Sequence, residues 1–271
     1  MGKFDGLLLV SDFDDTLYDH HHRIPPRNLQ AIDYFRQQGG RFTVATGRAH
    51  RTFAPYVHLA PIDGPVVLSN GSALYDFGQG QMLAQTYLPA TAREDISALL
   101  AAFPALGIEC YHGEDTFVCN PNPITQAHMD KVGTDYKIMP LEQMPCPWTK
   151  AIVQQEHAIL LQAQGWFLQR YGQRYEAIFS NQYYLEITEK GSTKGSMVDK
   201  VAQHLGIQPG CVYCVGDNQN DLSMLERSAI PFAPANCAPE VRDWGAKVLC
   251  HCNDGVIGDI IEILDRLYKA T

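Results

Sequence analysis

Near its start the chain reads LLLVSDFDDTL, at residues 7–17, an apolar run that ends in a cluster of carboxylates. Residues 7–10 predict a buried strand, because the run is too short to span a membrane and too apolar for a surface strand. Asp12 and Asp14 follow where this strand ends, and the period of two along a strand lets both carboxylates share one face. Two carboxylates so close repel each other unless a cation or a proton lies between them. The stretch therefore predicts a hard-metal site beside a potential nucleophile.

Taken alone, residues 12–16 could equally form a polar turn with a helix N-cap, since Asp and Thr are favoured there. Three later segments favour a site. VATGR at 44–48 and VYCVGDNQND at 212–221 are apolar strands that end in polar residues, and KGSTKG at 190–195 places two lysines before a predicted helix. Open α/β folds bind ligands at the carboxyl edge of the sheet. Polar groups delivered to one edge by several strands therefore predict a ligand site there.

Composition and charge restrict the class of protein. The 271 residues are 45% hydrophobic and 19% charged, which is ordinary for a folded protein, and the net charge is −9. A negative chain is a poor ligand for a nucleic-acid backbone, which needs many Lys and Arg contacts. An anionic substrate would have to be held by local positive charge, for which Arg48, Lys190, Lys194 and a divalent cation are candidates. No segment has the length of a membrane span or reads as a signal peptide, so a cytoplasmic location is expected.

The first third of the chain alternates predicted strands and helices, the rhythm of a parallel sheet covered by helices. These elements are a strand at 7–13, a helix near 26–38, a strand at 41–46, a helix near 49–59 and a strand at 65–69. Beyond residue 81 short strand-like pieces and helical stretches follow, and regular alternation resumes after Lys190. Proline-rich breaks separate these pieces at Pro121, Pro123, Pro140, Pro145 and Pro147. We predict an α/β fold: a Rossmann-like, doubly wound parallel sheet core at 1–81 and 186–271, with an inserted α+β cap at 82–185.

Eight cysteines and a run of three histidines raise the question of a second metal site. Cys211 and Cys214 flank two residues of a predicted strand, where side chains three apart point to opposite faces and cannot chelate one ion. Cys250 and Cys252 bracket a histidine, which invites a zinc interpretation. Buried apolar thiols are nevertheless the favoured interpretation, since free Cys is among the most buried residue types. The histidines at 20–22 are interpreted as a solvated loop.

The motifs, in their order, resemble those of the haloacid dehalogenase superfamily of phosphotransferases. The pattern is DxDxT at residues 12–16, a strand that ends in Thr46, a lysine at Lys194, and GDxxND at residues 216–221. The large insertion between the second and third motifs resembles the cap of the Cof-like (type IIB) branch. Asp15 departs from the pattern, because relatives usually carry Gly there, and it adds a carboxylate and restricts the backbone.

This resemblance implies a Mg²⁺-dependent phosphatase that hydrolyses small phosphorylated metabolites, with sugar phosphates as the expected class. Asp12 would be the nucleophile and form an aspartyl-phosphate, while Asp14 would protonate the leaving oxygen and then deprotonate the hydrolytic water. Mg²⁺ would be held by the Asp12 carboxylate, the Asp14 backbone carbonyl and the Asp217 carboxylate. The implied catalytic set is Asp12, Asp14, Thr46 and Lys194, and the implied phosphate contacts are Thr46, Gly47, Arg48, Lys194 and Asn220.

Alternatives remain open at this point. A phosphomutase shares the same core, and a non-catalytic module that only accepts a phosphoryl group would carry similar acids and a similar lysine. Arg48 could pair with an acidic neighbour instead of phosphate. Substrate selection is expected from the cap, where His112, Asn120 and Tyr183 are candidates because they are polar groups on predicted loops. A small phosphorylated metabolite is the expected partner, and neither a nucleic acid nor a membrane is expected.

Overall fold

The computed structural model describes residues 2–268, and the elements fall into three consecutive groups. The elements before residue 86 are β1 (Leu8–Ser11), α1 (Pro26–Gln37), β2 (Arg41–Val44), α2 (His50–Phe53), β3 (Val66–Leu68), β4 (Ala73–Asp76) and β5 (Gln81–Gln85). Those between residues 86 and 190 are α3 (Ala92–Ala102), β6 (Gly107–His112), β7 (Asp115–Cys119), α4 (Pro123–Val132), β8 (Tyr136–Ile138), β9 (Lys150–Gln154), α5 (His157–Tyr171), β10 (Tyr175–Asn181) and β11 (Tyr184–Glu189). Those after residue 190 are α6 (Lys194–Leu205), β12 (Val212–Val215), α7 (Leu222–Leu225), β13 (Pro231–Ala233), α8 (Pro239–Trp244), β14 (Lys247–Val248) and α9 (Val256–Leu267).

The core sheet is parallel, with the strand order β14-β13-β12-β1-β2. Alternate side chains of β1 enter different apolar clusters, Leu9 on the face covered by α1 and α9, and Leu8 and Val10 on the face covered by α6. Both faces are therefore buried, which explains why residues 7–10 read as one continuous apolar run. The predicted doubly wound α/β fold is confirmed.

A small antiparallel sheet, β3-β4-β5, extends the core beyond β2. It is joined to the end of β2 by a parallel bridge between Ala45 and Val67. The helix expected near 49–59 is only partly α-helical: α2 ends at Phe53, and a 3₁₀ helix continues over Ala54–Leu59. Pro55 lies at the start of that second segment and lacks the N–H that would continue the α-helical hydrogen bonds.

The second large sheet has six strands in the order β10-β11-β9-β6-β7-β8. Each pair of neighbouring strands within this sheet is antiparallel, except that β7 and β8 are parallel to each other. One face packs on α3 and α5 through a separate apolar cluster. The opposite face carries the polar side chains of alternate positions, among them Glu109, Tyr111, Lys150 and Glu186, and faces the core. This sheet forms the cap-side wall of the cavity described below.

Two sequence expectations for this region differ from the structure. The predicted boundaries after residues 81 and 185 fall inside β5 and β11, because β5 pairs with β4 of the core and β11 completes the cap sheet. The region around Pro123, interpreted as a proline-rich break, begins helix α4 instead. Proline is tolerated at a first helical position, and the Asn122 side chain caps the helix by accepting a hydrogen bond from Thr125 N. Within residues 2–268 no helix has the length and apolar character needed to cross a membrane.

Candidate active site

Strand ends of the core sheet bring the motif residues together. β1 and β12 are parallel and in register from Leu8 and Val212 to Ser11 and Val215, so the residues that follow them meet at one edge. The Asp12 amide donates to Val215 O at 2.9 Å, which extends this pairing by one residue. The predicted convergence of carboxylates at the carboxyl edge of the sheet is what the backbone pairing produces.

Lys194 is the buried cation of the site. It is the first residue of α6, where the Thr193 side chain caps the helix. Its Nζ lies 2.5 Å from Asp12 Oδ1 and 2.6 Å from Asp221 Oδ1. Burial by itself lowers the pKa of Lys194, but the two carboxylates outweigh burial and hold the pKa well above its usual value. Lys194 is therefore a fixed positive charge that orients the Asp12 carboxylate.

Three carboxylates cluster at this site, and two of them contact the Lys194 ammonium. Oxygens of Asp12, Asp217 and Asp221 all lie within 4.8 Å of one another. Burial, reinforced by the neighbouring carboxylates of Asp221 and Asp14, raises the pKa of Asp12 to about 7 despite the opposing effect of Lys194. Burial and the charge of Asp12 likewise raise the pKa of Asp217 well above its usual range. Negative charge in excess of the local cations, presented entirely by oxygen atoms, fits a hard divalent cation such as Mg²⁺.

Asp221 has a positioning role within this cluster. Its Oδ1 accepts from Lys194, and its Oδ2 accepts from the amides of Asp217 at 2.9 Å and Asn218 at 3.0 Å. Both oxygens are thus occupied, which leaves Asp12 and Asp217 as the freer carboxylates. A Cβ at Gly216 would lie only 2.3 Å from Asp221 Cγ, so the glycine allows this close approach.

Asp14 and Arg48 form a bidentate ion pair. Arg48 Nη2 lies 2.6 Å from Asp14 Oδ1, and Arg48 Nε lies 2.8 Å from Asp14 Oδ2. The guanidinium also stacks over the ring of Tyr56, 4.3 Å from its centroid. Of the two interpretations of Arg48, contact with phosphate or with an acidic neighbour, the structure contains the second. Asp14 would have to exchange this contact before it could serve a leaving group.

Thr46, Gly47 and Asn220 lie around the same centre. The buried Thr46 Oγ1 accepts from the Arg48 amide at 3.1 Å, which leaves its own proton available to an oxygen of a ligand. Asn220 Nδ2 donates to Asn70 Oδ1 at 3.0 Å, while Asn70 Nδ2 and Asn220 Oδ1 are buried without partners among the described residues. Buried polar atoms without partners are costly, and a polar ligand would satisfy them.

The cap supplies the opposite wall of a cavity of about 180 Å³. Lys150 Nζ crosses to the core and donates to Gly47 O at 2.8 Å, while also pairing with Glu186 Oε2 at 2.8 Å. It lies over the Tyr111 ring, 4.9 Å from the centroid. All these groups are buried or line the cavity. Lys150 therefore links the cap wall to the core wall at Gly47, the residue that follows Thr46.

A second cap group is centred on Glu109, a fully buried carboxylate. It accepts from Tyr111 Oη at 2.8 Å and from Gln154 Nε2 at 2.6 Å, and it pairs with His128 Nδ1 at 2.7 Å. The His128 ring also contacts the Tyr184 ring, with centroids 4.5 Å apart. Tyr111, His128 and Tyr184 all line the cavity. Glu109 thus holds two polar aromatic side chains in place against it.

The cap candidates chosen from the sequence do not line this cavity. His112 Nδ1 contacts Pro147 O, and Asn120 Nδ2 donates to Pro104 O and Leu106 O, so both serve local structure. Tyr183 is also absent from the lining. Each of His112 and Tyr183 is one position away from a lining residue. For His112, strand phase explains the difference, because successive side chains of β6 point to opposite faces. Tyr183 lies in the turn between β10 and β11.

The motifs and fold agree with known proteins. Residues 9–261 match the model of the haloacid dehalogenase-like hydrolases. The chain belongs to this family. It is 26% identical over 259 residues to the HMP-PP phosphatase of Serratia proteamaculans, with 94% of each chain covered. It is 25% identical over 259 residues to a putative phosphatase of Haemophilus influenzae, covering 94% of this chain and 96% of the relative. The predicted family and the predicted phosphatase-type enzyme are confirmed.

Solved structures show the same fold. A subclass IIB sugar phosphatase superposes with a TM-score of 0.83 at 19% identity, over 95% of this chain and 98% of the other. A haloacid dehalogenase-like hydrolase from Bacteroides thetaiotaomicron superposes with a TM-score of 0.79 at 20% identity, over 95% and 99% of the two chains. The likeness extends over nearly the whole chain, so it includes the cap sheet as well as the core.

Proposed function

We propose that this enzyme hydrolyses small phosphorylated metabolites through an aspartyl-phosphate on Asp12, with a divalent cation at the carboxylate cluster. The observation that carries the proposal is the Asp12 carboxylate itself. It lies at the end of β1, fixed by Lys194, inside an acid cluster and against a cavity that the cap covers. Mg²⁺, held by Asp12 and Asp217 with the Asp14 carbonyl, would supply neutralising charge for an anion that meets another anion.

In the first half-reaction Asp12 attacks phosphorus, a carboxylate oxygen–phosphorus bond forms, and the bond to the leaving oxygen breaks. Lys194 holds one oxygen of Asp12 and so fixes the direction of the other. Asp14 gives its proton to the leaving oxygen. In the second half-reaction Asp14 takes a proton from the attacking water, whose oxygen bonds to phosphorus while the Asp12 oxygen–phosphorus bond breaks, which releases phosphate and restores the Asp12 carboxylate. Both Asp14 oxygens contact Arg48 in the structure, so substrate binding has to redirect either the carboxyl or the guanidinium.

The phosphoryl oxygens are proposed to contact Thr46 Oγ1, the Gly47 amide, Lys194 and Asn220. Asn70 Nδ2, which has no partner among residues 2–268, lies beside Asn220 and adds a further donor that sequence reasoning did not select. These groups stabilise a dispersed negative charge by position and electrostatics, which is how phosphoryl transfer is mainly catalysed.

The leaving group is proposed to contact the cap wall. Sugar phosphates are the first candidate class, since the cavity offers several polar groups to hydroxyls. HMP-PP, the substrate in the name of curated relatives, is the second. The observation that favours it is the aromatic part of the wall, in which Tyr111, His128 and Tyr184 could pack on a planar leaving group.

The test is phosphate release by purified, metal-stripped protein with and without Mg²⁺, on a panel of hexose phosphates, pentose phosphates and HMP-PP. Mg²⁺-dependent turnover of at least one substrate, lost in Asp12→Asn, is expected. Turnover by the metal-stripped protein equal to that with Mg²⁺ would contradict the role of the carboxylate cluster. A phosphomutase would instead need activation by a sugar bisphosphate and would return the phosphoryl group to sugar, which product analysis resolves.

A further inference from the structure

A second group of metal-ligating side chains lies outside the proposed catalytic centre. Donor atoms of His20, His251 and Cys252 all lie within 4.8 Å of one another. The residues come from two loops, one after β1 and one after β14, which are more than 200 positions apart in the chain. Each loop alone had been interpreted as structural or solvated, and only the fold brings their nitrogen and sulfur donors together.

The distances within the cluster suit a tetrahedral ion. Zn²⁺ binds nitrogen, oxygen and sulfur at about 2.0–2.3 Å, so neighbouring ligands of a tetrahedral site lie about 3.3–3.8 Å apart. His20 Nε2 lies 3.3 Å from Asp15 Oδ1, and Cys252 Sγ lies 3.5 Å from His251 Nδ1. These two pairs already have the separation of adjacent ligands. Asp15, which stands where the motif usually has glycine, contacts His20, while the donor atoms that all lie within 4.8 Å of one another are those of His20, His251 and Cys252.

The two loops are held together by neighbouring amides. Asn236 Nδ2 donates to Asp15 O at 2.7 Å, and Asn236 Oδ1 accepts from Cys252 N at 3.0 Å. The Asn253 side chain accepts from His20 N at 3.1 Å. Both asparagines thus span the gap between the ligand-bearing loops. Such supporting contacts orient ligands before an ion binds, which is a common feature of metal sites.

We propose that His20, His251 and Cys252 form a three-ligand zinc site at the rim of the active-site cavity, with Asp15 beside His20 and the fourth position open to water. Imidazole and thiolate ligands select Zn²⁺ over Mg²⁺, whereas the all-oxygen cluster around Asp12 does the reverse. The site goes beyond the proposed function and does not depend on it. His251 Nδ1 accepts a hydrogen bond from the Asn253 amide, and a metal bound through that nitrogen would replace this hydrogen bond.

The experiment is Co²⁺ titration of metal-stripped, reduced protein in excess Mg²⁺, which keeps the oxygen cluster occupied. Only a thiolate ligand gives the sulfur-to-cobalt charge-transfer band in the near ultraviolet. We expect this band at one equivalent of Co²⁺, its loss on adding one equivalent of Zn²⁺, and its absence in Cys252→Ser. Cys252 is buried and its replacement could unfold the chain, so the exposed His20→Asn is the deciding variant.

We expect His20→Asn to weaken Co²⁺ binding at least tenfold, with matched controls His22→Asn and Cys250→Ser unchanged. His22 and Cys250 are each two positions along the chain from a residue of the cluster and do not belong to it. No charge-transfer band in the wild-type protein would overturn the proposal, and so would a band of equal affinity in His20→Asn. Phosphatase activity with Mg²⁺ is measured in parallel and reports on the other centre.

Discussion

The two walls of the cavity are built in different ways. On the core wall, Asp12, Thr46 and Asp217 each follow the end of a parallel strand, so the topology alone carries them to one edge. On the cap wall, Tyr111 and Lys150 stand on the face of an antiparallel sheet, where neighbouring positions alternate between cavity and apolar cluster. In the core, the functional side chains are therefore positioned by the ends of the strands. In the cap, they are positioned by the face of each strand on which they lie. A one-residue shift in a cap strand would turn its cavity-facing side chains toward the apolar cluster and bring the other set into the cavity. The core wall does not depend on this alternation, because its groups follow the ends of parallel strands.

The largest effect is expected on the core wall, from Asp12→Asn. It removes the nucleophile while nearly preserving side-chain shape, so turnover of every substrate should fall on the order of 10⁴-fold or more. Steady-state phosphate release is the measurement, and Asp33→Asn, at an exposed helix position, is the matched control. If Asp12→Asn were to retain more than a tenth of wild-type activity, covalent catalysis on Asp12 would be wrong.

The second largest effect is expected from Asp14→Asn, also on the core wall. Asp14→Asn should reduce kcat by about 10²–10⁴-fold for a sugar phosphate, whose alkoxide leaving group needs a proton. The loss should be much smaller for p-nitrophenyl phosphate, since nitrophenolate leaves without protonation. Equal losses on both substrates would show that Asp14 acts through its Arg48 contact and the local structure rather than as an acid.

On the cap wall, Lys150→Met should act on binding. The change removes the hydrogen bond to Gly47 O and leaves Glu186 buried without its partner. A hydrogen bond to a charged group contributes about 1.5–3 kcal/mol, so kcat/KM should fall about 10–150-fold. The comparison variant is Lys137→Met, which changes an exposed cap lysine. A Lys150→Met enzyme with unaltered kinetics would mean that the two walls work independently.

The smallest effect concerns pH and stability without metal. Burial raises the pKa of Asp12 from 3.8 to about 7, so between these values the folded chain binds more protons at this group than the unfolded chain. Linkage then requires this group to reduce stability as pH rises from about 4 to about 7. In EDTA the Tm of Asp12→Asn minus the Tm of the wild type should therefore increase from about pH 5 to about pH 8, because the wild type loses stability over this range. Added Mg²⁺ should reduce that trend; a pH-independent difference would contradict the raised pKa.

The sequence was sufficient for the core wall because its signals are local. An apolar run, a motif of fixed spacing and the rule of parallel strand ends place Asp12 and Asp217 at one edge without any knowledge of pairing. Lys194 needed the family resemblance, since a lysine at a helix start is ordinarily solvated. Its contact with Asp12 joins residues 182 positions apart and has no local signature.

The cap wall could not be predicted, because the sequence does not show which face of each cap strand points toward the cavity. Tyr111 and His112 are adjacent polar residues of one strand, and only pairing with β9 decides which of them faces the core. Pro123 concealed helix α4, and with it His128, because proline opens helices as well as breaking them. The cluster of His20 and Cys252 was hidden for the simplest reason, the distance between its parts along the chain.

The strand order has a consequence for the time course of synthesis. β1 is made first, but it lies between β2 and β12, and its partner Val212 follows Leu8 by about 200 residues. At about 5–20 residues per second, one edge of this apolar strand stays unpaired for roughly 10–40 s while the cap is being made. An unpaired apolar strand edge is a template for association with other chains. The nascent chain, more than the finished enzyme, is where this fold is most exposed to aggregation.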